Sequence, residues 1–104
     1  MSGMSDREKA FENKFAHDQE LRFKAEARRN KLLGLWAGGL LGKADLDAYA
    51  REVVASDFEE AGDADVLRKV SGDLKDGGVA ITDEEIRAKM QEFLAQAVEQ
   101  IQGE

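Results

Sequence analysis

One stretch of the chain, residues 14–43, changes character halfway along its length and restricts what the chain can fold into. It reads KFAHDQELRFKAEARRNKLLGLWAGGLLGK. Its first half is charged, with Phe15 and Phe23 as its aromatic residues, and its second half is almost wholly apolar and small. Apolar residues recur at the three- and four-residue spacing of an α-helix. We therefore expect one long helix whose second half packs in a core, while its first half is free to meet something else.

Composition limits the fold to one domain. The chain has 104 residues, no proline and no cysteine, so disulfides and cysteine-ligated metals are excluded. The longest apolar run, residues 32–42, is about half of the roughly 18–20 residues that span a bilayer. The first ten residues are polar and lack the apolar segment of a signal peptide. We predict a soluble, cytoplasmic protein that does not insert into a membrane.

The charge of the chain is unevenly distributed. The net charge is −7, but residues 1–31 hold eight Lys/Arg and six Asp/Glu and are therefore mildly basic. Residues 32–104 hold seven Lys/Arg and sixteen Asp/Glu and are strongly acidic. An acidic body argues against nucleic-acid binding, which needs a broad basic surface. The basic N-terminal part can instead meet an acidic protein surface.

Local signals for helix starts and ends divide the chain into four helices. The first starts at Asp6 or later and ends at Leu41, before Gly42, and the second starts after Asp45 as its cap. The third lies between glycines at 62 and 77, with Asp63 as its cap. Because the connections are short, we predict an all-α fold, a four-helix bundle.

The fourth helix has the clearest start. Thr82 and Glu85 form a capping box, and Ile81 and Ile86 fit the accompanying hydrophobic staple. For the first helix we predict a core-facing stripe that contains Trp36, the single tryptophan. Its members recur at helical spacing: Leu21, Ala25, Arg28, Leu32, Leu35, Trp36, Gly39 and Leu40.

Two motifs resemble ligand-binding loops only in part. In AGGLLGKA, residues 37–44, Ala37 and Ala44 replace a required glycine and a required hydroxyl of a phosphate-binding loop, and a helix precedes the segment instead of a strand. We interpret it as a helix terminus and leave open weak nucleotide binding elsewhere on the bundle. In the acidic segment 57–65, a calcium loop would place Arg68 where a bidentate glutamate belongs, which favours a polar connection.

Catalytic and metal-binding constellations are not apparent. His17 is the single histidine, and no cysteine accompanies it. A lone histidine builds neither a metal site nor a nucleophile–base pair. We predict no catalytic residue, no metal site and no cofactor, and therefore no enzyme.

Phe11 and Phe15 stand one helical turn apart, with Arg7 and Lys14 nearby. They either pack on the bundle or form a partner-binding helix face. A short helix without packing is marginal in water, so it can stay mobile until a groove accepts it. We predict a mobile N-terminal arm, residues 1–17, and a bundle domain, residues 18–104.

Several strings in one order carry a resemblance to a known family. They include KFAHD at 14–18, FKAEARRN at 23–30, LLGK at 40–43 and IRAKM at 86–90. Together they resemble the ζ (zeta) subunit family, the inhibitor proteins of the F-type ATP synthase in α-proteobacteria. Members of this family are four-helix bundles with a flexible N-terminal arm.

The resemblance implies a mechanism and a partner. The arm would insert at a catalytic interface of the ATP synthase head, next to the central stalk, become helical there and block rotation in the hydrolytic direction. The protein would sit in the cytoplasm, peripheral to the inner membrane through the synthase. The residues assigned to partner binding are Met4, Arg7, Glu8, Phe11, Lys14, Phe15, His17 and Asp18. A small helical adaptor, or a nucleotide-responsive sensor without inhibitory activity, is the alternative.

Overall fold

Four α-helices make up most of the part of the chain that the structure, a computed structural model, describes: residues 19–58 and 63–103. They are α1 (Gln19–Leu41), α2 (Leu46–Ala55), α3 (Ala64–Asp76) and α4 (Asp83–Gly103), with a 3-10 helix at Ser56–Phe58. The prediction of an all-α, four-helix fold is confirmed. The predicted arm lies outside the described residues. Within them, no helix combines the length and the apolar character needed to cross a membrane.

Glycine ends α1 and α3 by the same geometry. Gly42 adopts φ +70°, and Gly78 adopts φ +76°, a region that side chains with a Cβ rarely enter. After α1, the Lys43 N–H donates to the Gly38 carbonyl at 3.0 Å and the Gly42 N–H to the Gly39 carbonyl at 3.2 Å. This pair of bonds is a Schellman motif, which satisfies carbonyls that the helix end leaves without partners. The predicted end of the first helix at Leu41 is confirmed.

Side chains cap α2 and α4 as predicted. The Ala48 N–H donates to Asp45 Oδ1 at 3.0 Å. At α4, the Glu85 N–H donates to Thr82 Oγ1 at 3.1 Å, and the Thr82 N–H donates back to Glu85 Oε1 at 3.4 Å. The two reciprocal bonds satisfy two donors at the helix start, which confirms the capping box.

The prediction that Asp63 caps α3 is correct for its position but wrong for its hydrogen bond. Asp63 occupies the cap position, but its side chain makes no capping hydrogen bond. Its carboxylate lies instead 3.6 Å from Arg87 Nη1 on α4. An ion pair between neighbouring helices has replaced the local bond that the sequence pattern favours.

The core lies between the four helices. Its buried members come from every helix: Leu33, Ala37, Tyr49, Val53, Val66, Leu67, Val70, Leu74, Ile86 and Met90. Ile81 packs partly buried against this cluster beside the fully buried Ile86. The apolar stripe of α3, formed by Val66, Leu67, Val70 and Leu74, is buried throughout.

The face that α1 buries differs from the predicted stripe. Its buried residues are Ala25, Arg29, Asn30, Leu33, Gly34, Ala37 and Gly38, whereas Gly39 and Leu40 are exposed. Close approach to α2 explains the difference, since a Cβ on Gly34 would lie only 2.6 Å from the Ala50 Cα. Small residues let the two backbones meet, and Leu32, Leu35 and Leu40 therefore lie outside the buried face.

Trp36 packs at the edge of the core. It is half-buried and contacts Phe93, with ring centroids 6.3 Å apart and a tilt of 58°. The Lys89 ammonium lies 5.9 Å from the centroid of each ring. The prediction that Trp36 belongs to the bundle is correct. Trp36 is not fully buried, because the small-residue face of α1 occupies the centre of the bundle.

Candidate partner-binding site

The residues that the sequence assigns to partner binding lie outside the described part of the chain. They are Met4, Arg7, Glu8, Phe11, Lys14, Phe15, His17 and Asp18. The division between an arm and a bundle at residue 17 or 18 therefore stays a prediction. What the structure describes is the helix that follows this segment directly, α1, and how the bundle holds it.

The first turns of α1 present a polar surface with one aromatic side chain. Phe23 is 71% exposed, and Arg22 pairs with Glu26 one turn later at 3.3 Å. Ala25 is the first buried residue of the helix. The helix thus begins as a solvent-exposed element and enters the core about one and a half turns later.

A buried polar chain fixes α1 where it enters the bundle. Arg29 donates to Asn30 Oδ1 through Nε at 3.0 Å and Nη2 at 2.8 Å. Asn30, which is 1% exposed, donates through Nδ2 to Asp57 Oδ2 at 3.0 Å. Because an unpaired buried polar group costs about 1–3 kcal/mol, these three side chains depend on one another. They connect α1 to the 3-10 helix after α2.

Interactions of opposite sign act on the pKa of the Asp57 carboxylate. Burial raises its pKa, and the nearby charges of Glu26 and Asp65 act in the same direction. The hydrogen bond from Asn30 and the charge of Arg29 lower it, but the pKa stays above its usual value. The polar chain therefore holds an acid whose ionisation is costly in the folded state.

A second polar cluster surrounds Tyr49 on the other side of α2. The Tyr49 hydroxyl donates to Asp73 Oδ2 at 2.8 Å, and burial together with this carboxylate raises the pKa of Tyr49 far above its usual value. Lys69 lies 3.0 Å from Asp73 and 3.3 Å from Glu52. Burial opposes the Lys69 charge, but the two carboxylates outweigh it and raise the pKa of Lys69. One cation and two carboxylates bind one another in this cluster, which favours a structural role.

Of the two motifs that resemble ligand loops, AGGLLGKA has a structural role, and residues 59–62 of the acidic segment lie outside the described part of the chain. AGGLLGKA forms the last turn of α1 and its glycine terminus. Across residues 19–58 and 63–103, no group of three or more His, Cys, Asp or Glu side chains is placed to hold a metal ion.

One contact that holds α1 in place was not predicted from the sequence. The contact between Asn30 and Asp57 joins residues 27 positions apart, and no local pattern signals it.

Comparison with known proteins identifies the family. The chain is similar to a protein whose structure was determined by solution NMR, with 50% sequence identity, coverage of 80% of this chain and 96% of that chain, and a TM-score of 0.71. No curated protein matches the chain. The family of the ATPase inhibitor subunit zeta matches residues 1–100. Because this match spans nearly the whole chain, including the segment before α1, the chain belongs to the ATPase inhibitor zeta subunit family.

Proposed function

We propose that the protein inhibits ATP hydrolysis by the F-type ATP synthase through its N-terminal arm. The arm, residues 1–17, folds into a helix at a catalytic interface of the head, next to the central stalk, and blocks rotation in the hydrolytic direction. The observation that carries the proposal is the family match, which begins at residue 1 and so includes the arm. In this role the protein regulates an enzyme and has no reaction of its own.

The shape of the described bundle supports an arm-based mechanism. The core of the described residues is built from side chains of α1 to α4. The polar chain through Asn30 ties α1 to the 3-10 helix after α2. A helix that is held in this way and has an exposed start is a suitable base on which an arm can continue the helix.

The energetics of the arm require both apolar and charged contacts. Ordering a residue costs roughly 1–2 kcal/mol, and a buried phenylalanine returns about 1.5–3 kcal/mol. Phe11 and Phe15 therefore do not offset the ordering of seventeen residues. Arg7 and Lys14 must add contacts with acidic or polar groups of the head, and Met4, Glu8, His17 and Asp18 complete the proposed surface.

The direction of the block separates this function from general interference with the enzyme. Purified protein is titrated into the cognate ATP synthase in membrane vesicles, and hydrolysis and proton-driven synthesis are measured on the same preparation. We expect hydrolysis to fall in a saturable way and synthesis to change much less. Unchanged hydrolysis at saturating protein would exclude the proposal. Equal loss of both activities would exclude the directional mechanism.

A further inference from the structure

The apolar side chains of α1 do not select one face of the helix for burial. Leu33 is fully buried, whereas Leu32, Leu35 and Leu40 lie outside the buried face. Gly34 permits the close approach to α2, but a glycine has no side chain that could attract a partner. Apolar attraction is also non-directional, so it tolerates a helix that has rotated or slipped. A directional contact is therefore needed to select the rotation of α1 about its axis.

The polar chain of Arg29, Asn30 and Asp57 contains such a contact. Within α1, the Arg29 guanidinium donates twice to Asn30 Oδ1, and from α1 to the 3-10 helix Asn30 Nδ2 donates to Asp57 Oδ2 at 3.0 Å. Asn30 is 1% exposed, so bulk water does not replace these bonds. A rotation of α1 would carry Asn30 away from Asp57 and leave a buried amide without its acceptor.

Buried polar chains of this kind can contribute more to specificity than to stability. Removing the polar groups from water costs free energy that their hydrogen bonds offset, and replacing them by apolar residues of similar volume is often neutral or stabilising. In coiled coils, a single buried asparagine fixes the register of the helices. Asn30 has the corresponding place in this bundle, because its amide joins α1 to another element.

The rotation of α1 also sets the direction of the proposed arm. Residues 1–17 precede α1 in the chain, and the proposed function has them continue α1 as a helix. Because a continuous helix turns as one body, a rotation of α1 turns Phe11 and Phe15 by the same angle. A slip of one residue would turn both side chains by about 100° relative to the bundle.

We propose that Asn30 is a positioning residue for inhibition. Its bonds to Arg29 and Asp57 select the rotation of α1 and thereby the direction in which the arm presents Phe11 and Phe15 to the ATPase head. Asn30 acts from inside the bundle, where it is buried, and not by touching the head. This inference rests on the proposed function and adds to it the residue that orients the arm.

Three full-length variants and one control test the role of Asn30. Asn30→Asp places a second carboxylate against Asp57. The exchange Asn30→Asp with Asp57→Asn restores that hydrogen bond in the reverse direction and keeps an acceptor for Arg29. The apolar variant, Arg29→Met with Asn30→Leu and Asp57→Leu, removes the polar chain. The control is Ser71→Ala, which removes the 2.6 Å bond from Ser71 to Asp83 and so breaks a polar link between α3 and α4.

Each variant is titrated into the isolated ATPase head, and its inhibition of hydrolysis is compared with its free energy of unfolding in urea. Residual dipolar couplings of the backbone N–H groups of residues 20–41 report the rotation of α1 relative to α3 and α4. The exchange and the apolar variant carry the test even if Asn30→Asp does not fold.

We expect Asn30→Asp and the apolar variant to inhibit about tenfold more weakly, because a binding surface must be held within about 10–20° of its productive orientation. The exchange should restore inhibition to within about twofold of the wild type, and Ser71→Ala should stay within about twofold, since distant sites act independently. The apolar variant should lose inhibition while it keeps the stability of the wild type, and its dipolar couplings should show a rotated α1. A purely structural role of Asn30 would not separate inhibition from stability.

Four results would overturn the inference. If the wild type and the apolar variant inhibit equally, Asn30 does not position the arm, while the proposed function stands. If inhibition falls only in proportion to stability in every variant, Ser71→Ala included, the role of Asn30 is structural alone. If the exchange restores stability but not inhibition, the bond between positions 30 and 57 does not direct the arm. If the wild type does not inhibit, the proposed function fails and this inference fails with it.

Discussion

At the scale of single residues, the ionisation of Asp57 links the polar chain of α1 to pH. Its pKa is raised chiefly by burial, so the folded protein holds this proton more tightly than the unfolded chain. Between the unfolded pKa of about 3.9 and the raised folded pKa, the native state binds more protons. The stability contributed by Asp57 is therefore greatest in acid and decreases as pH rises through this window.

The corresponding prediction compares Asp57→Asn with the wild type. Asparagine can still accept the hydrogen bond from Asn30, but it has no charge to bury. The variant should gain stability relative to the wild type as pH rises from about 3.5 to 7, measured as the free energy of unfolding in urea. Asp76→Asn, at an exposed position, is the control. A difference between Asp57→Asn and the wild type that is independent of pH would contradict the assigned role of burial.

At the scale of elements, substitutions at the residues that precede α3 and α4 should differ in their cost to stability. These residues are Asp63 and Thr82. Thr82 accepts a capping hydrogen bond, so Thr82→Ala should cost about 0.5–2 kcal/mol. Asp63 makes no such bond and has only an exposed ion pair, so Asp63→Ala should cost about 0–1 kcal/mol. Chemical denaturation of both variants is the measurement, and equal denaturation midpoints for Thr82→Ala and wild type would show that Thr82 is not the cap.

The contact of α1 with α2 predicts opposite effects for two glycines of the same helix. An alanine at Gly34 would bring its Cβ to 2.6 Å from the Ala50 Cα, so Gly34→Ala should destabilise by about 1–3 kcal/mol. Nothing lies within 4 Å of a Cβ at Gly39, so Gly39→Ala should stabilise by up to about 1 kcal/mol. Thermal denaturation separates the two, and stabilisation by both substitutions would mean that the helices do not meet at Gly34.

These elements also show what local sequence determines. The C-terminal end of α1 and the start of α4 follow from glycine and from the threonine–glutamate pair, which act within a few residues and were predicted correctly. The buried face of α1 depends on which neighbour approaches it. Leu32, Leu35 and Trp36 favoured one face by size, but close contact at Gly34 selected another. The link from Asn30 to Asp57 spans 27 positions and has no local signal.

At the scale of the whole molecule, the described bundle and the proposed arm have different roles. The core and both polar clusters hold α1 to α4 together, while the first turns of α1 carry the exposed side chain of Phe23. The proposed arm precedes this start in the chain. We propose that the arm inhibits hydrolysis and that the bundle holds the helix from which the arm extends.

Removal of the arm tests this division most directly. A chain that lacks residues 1–16 is compared with the full-length protein on the same ATPase preparation, with hydrolysis rate as the readout and circular dichroism as the check on folding. We predict that the shortened chain keeps its helices, because the core lies in residues beyond 24, and that it no longer inhibits hydrolysis. Equal inhibition by both chains would place the inhibitory determinant in the bundle and contradict the account.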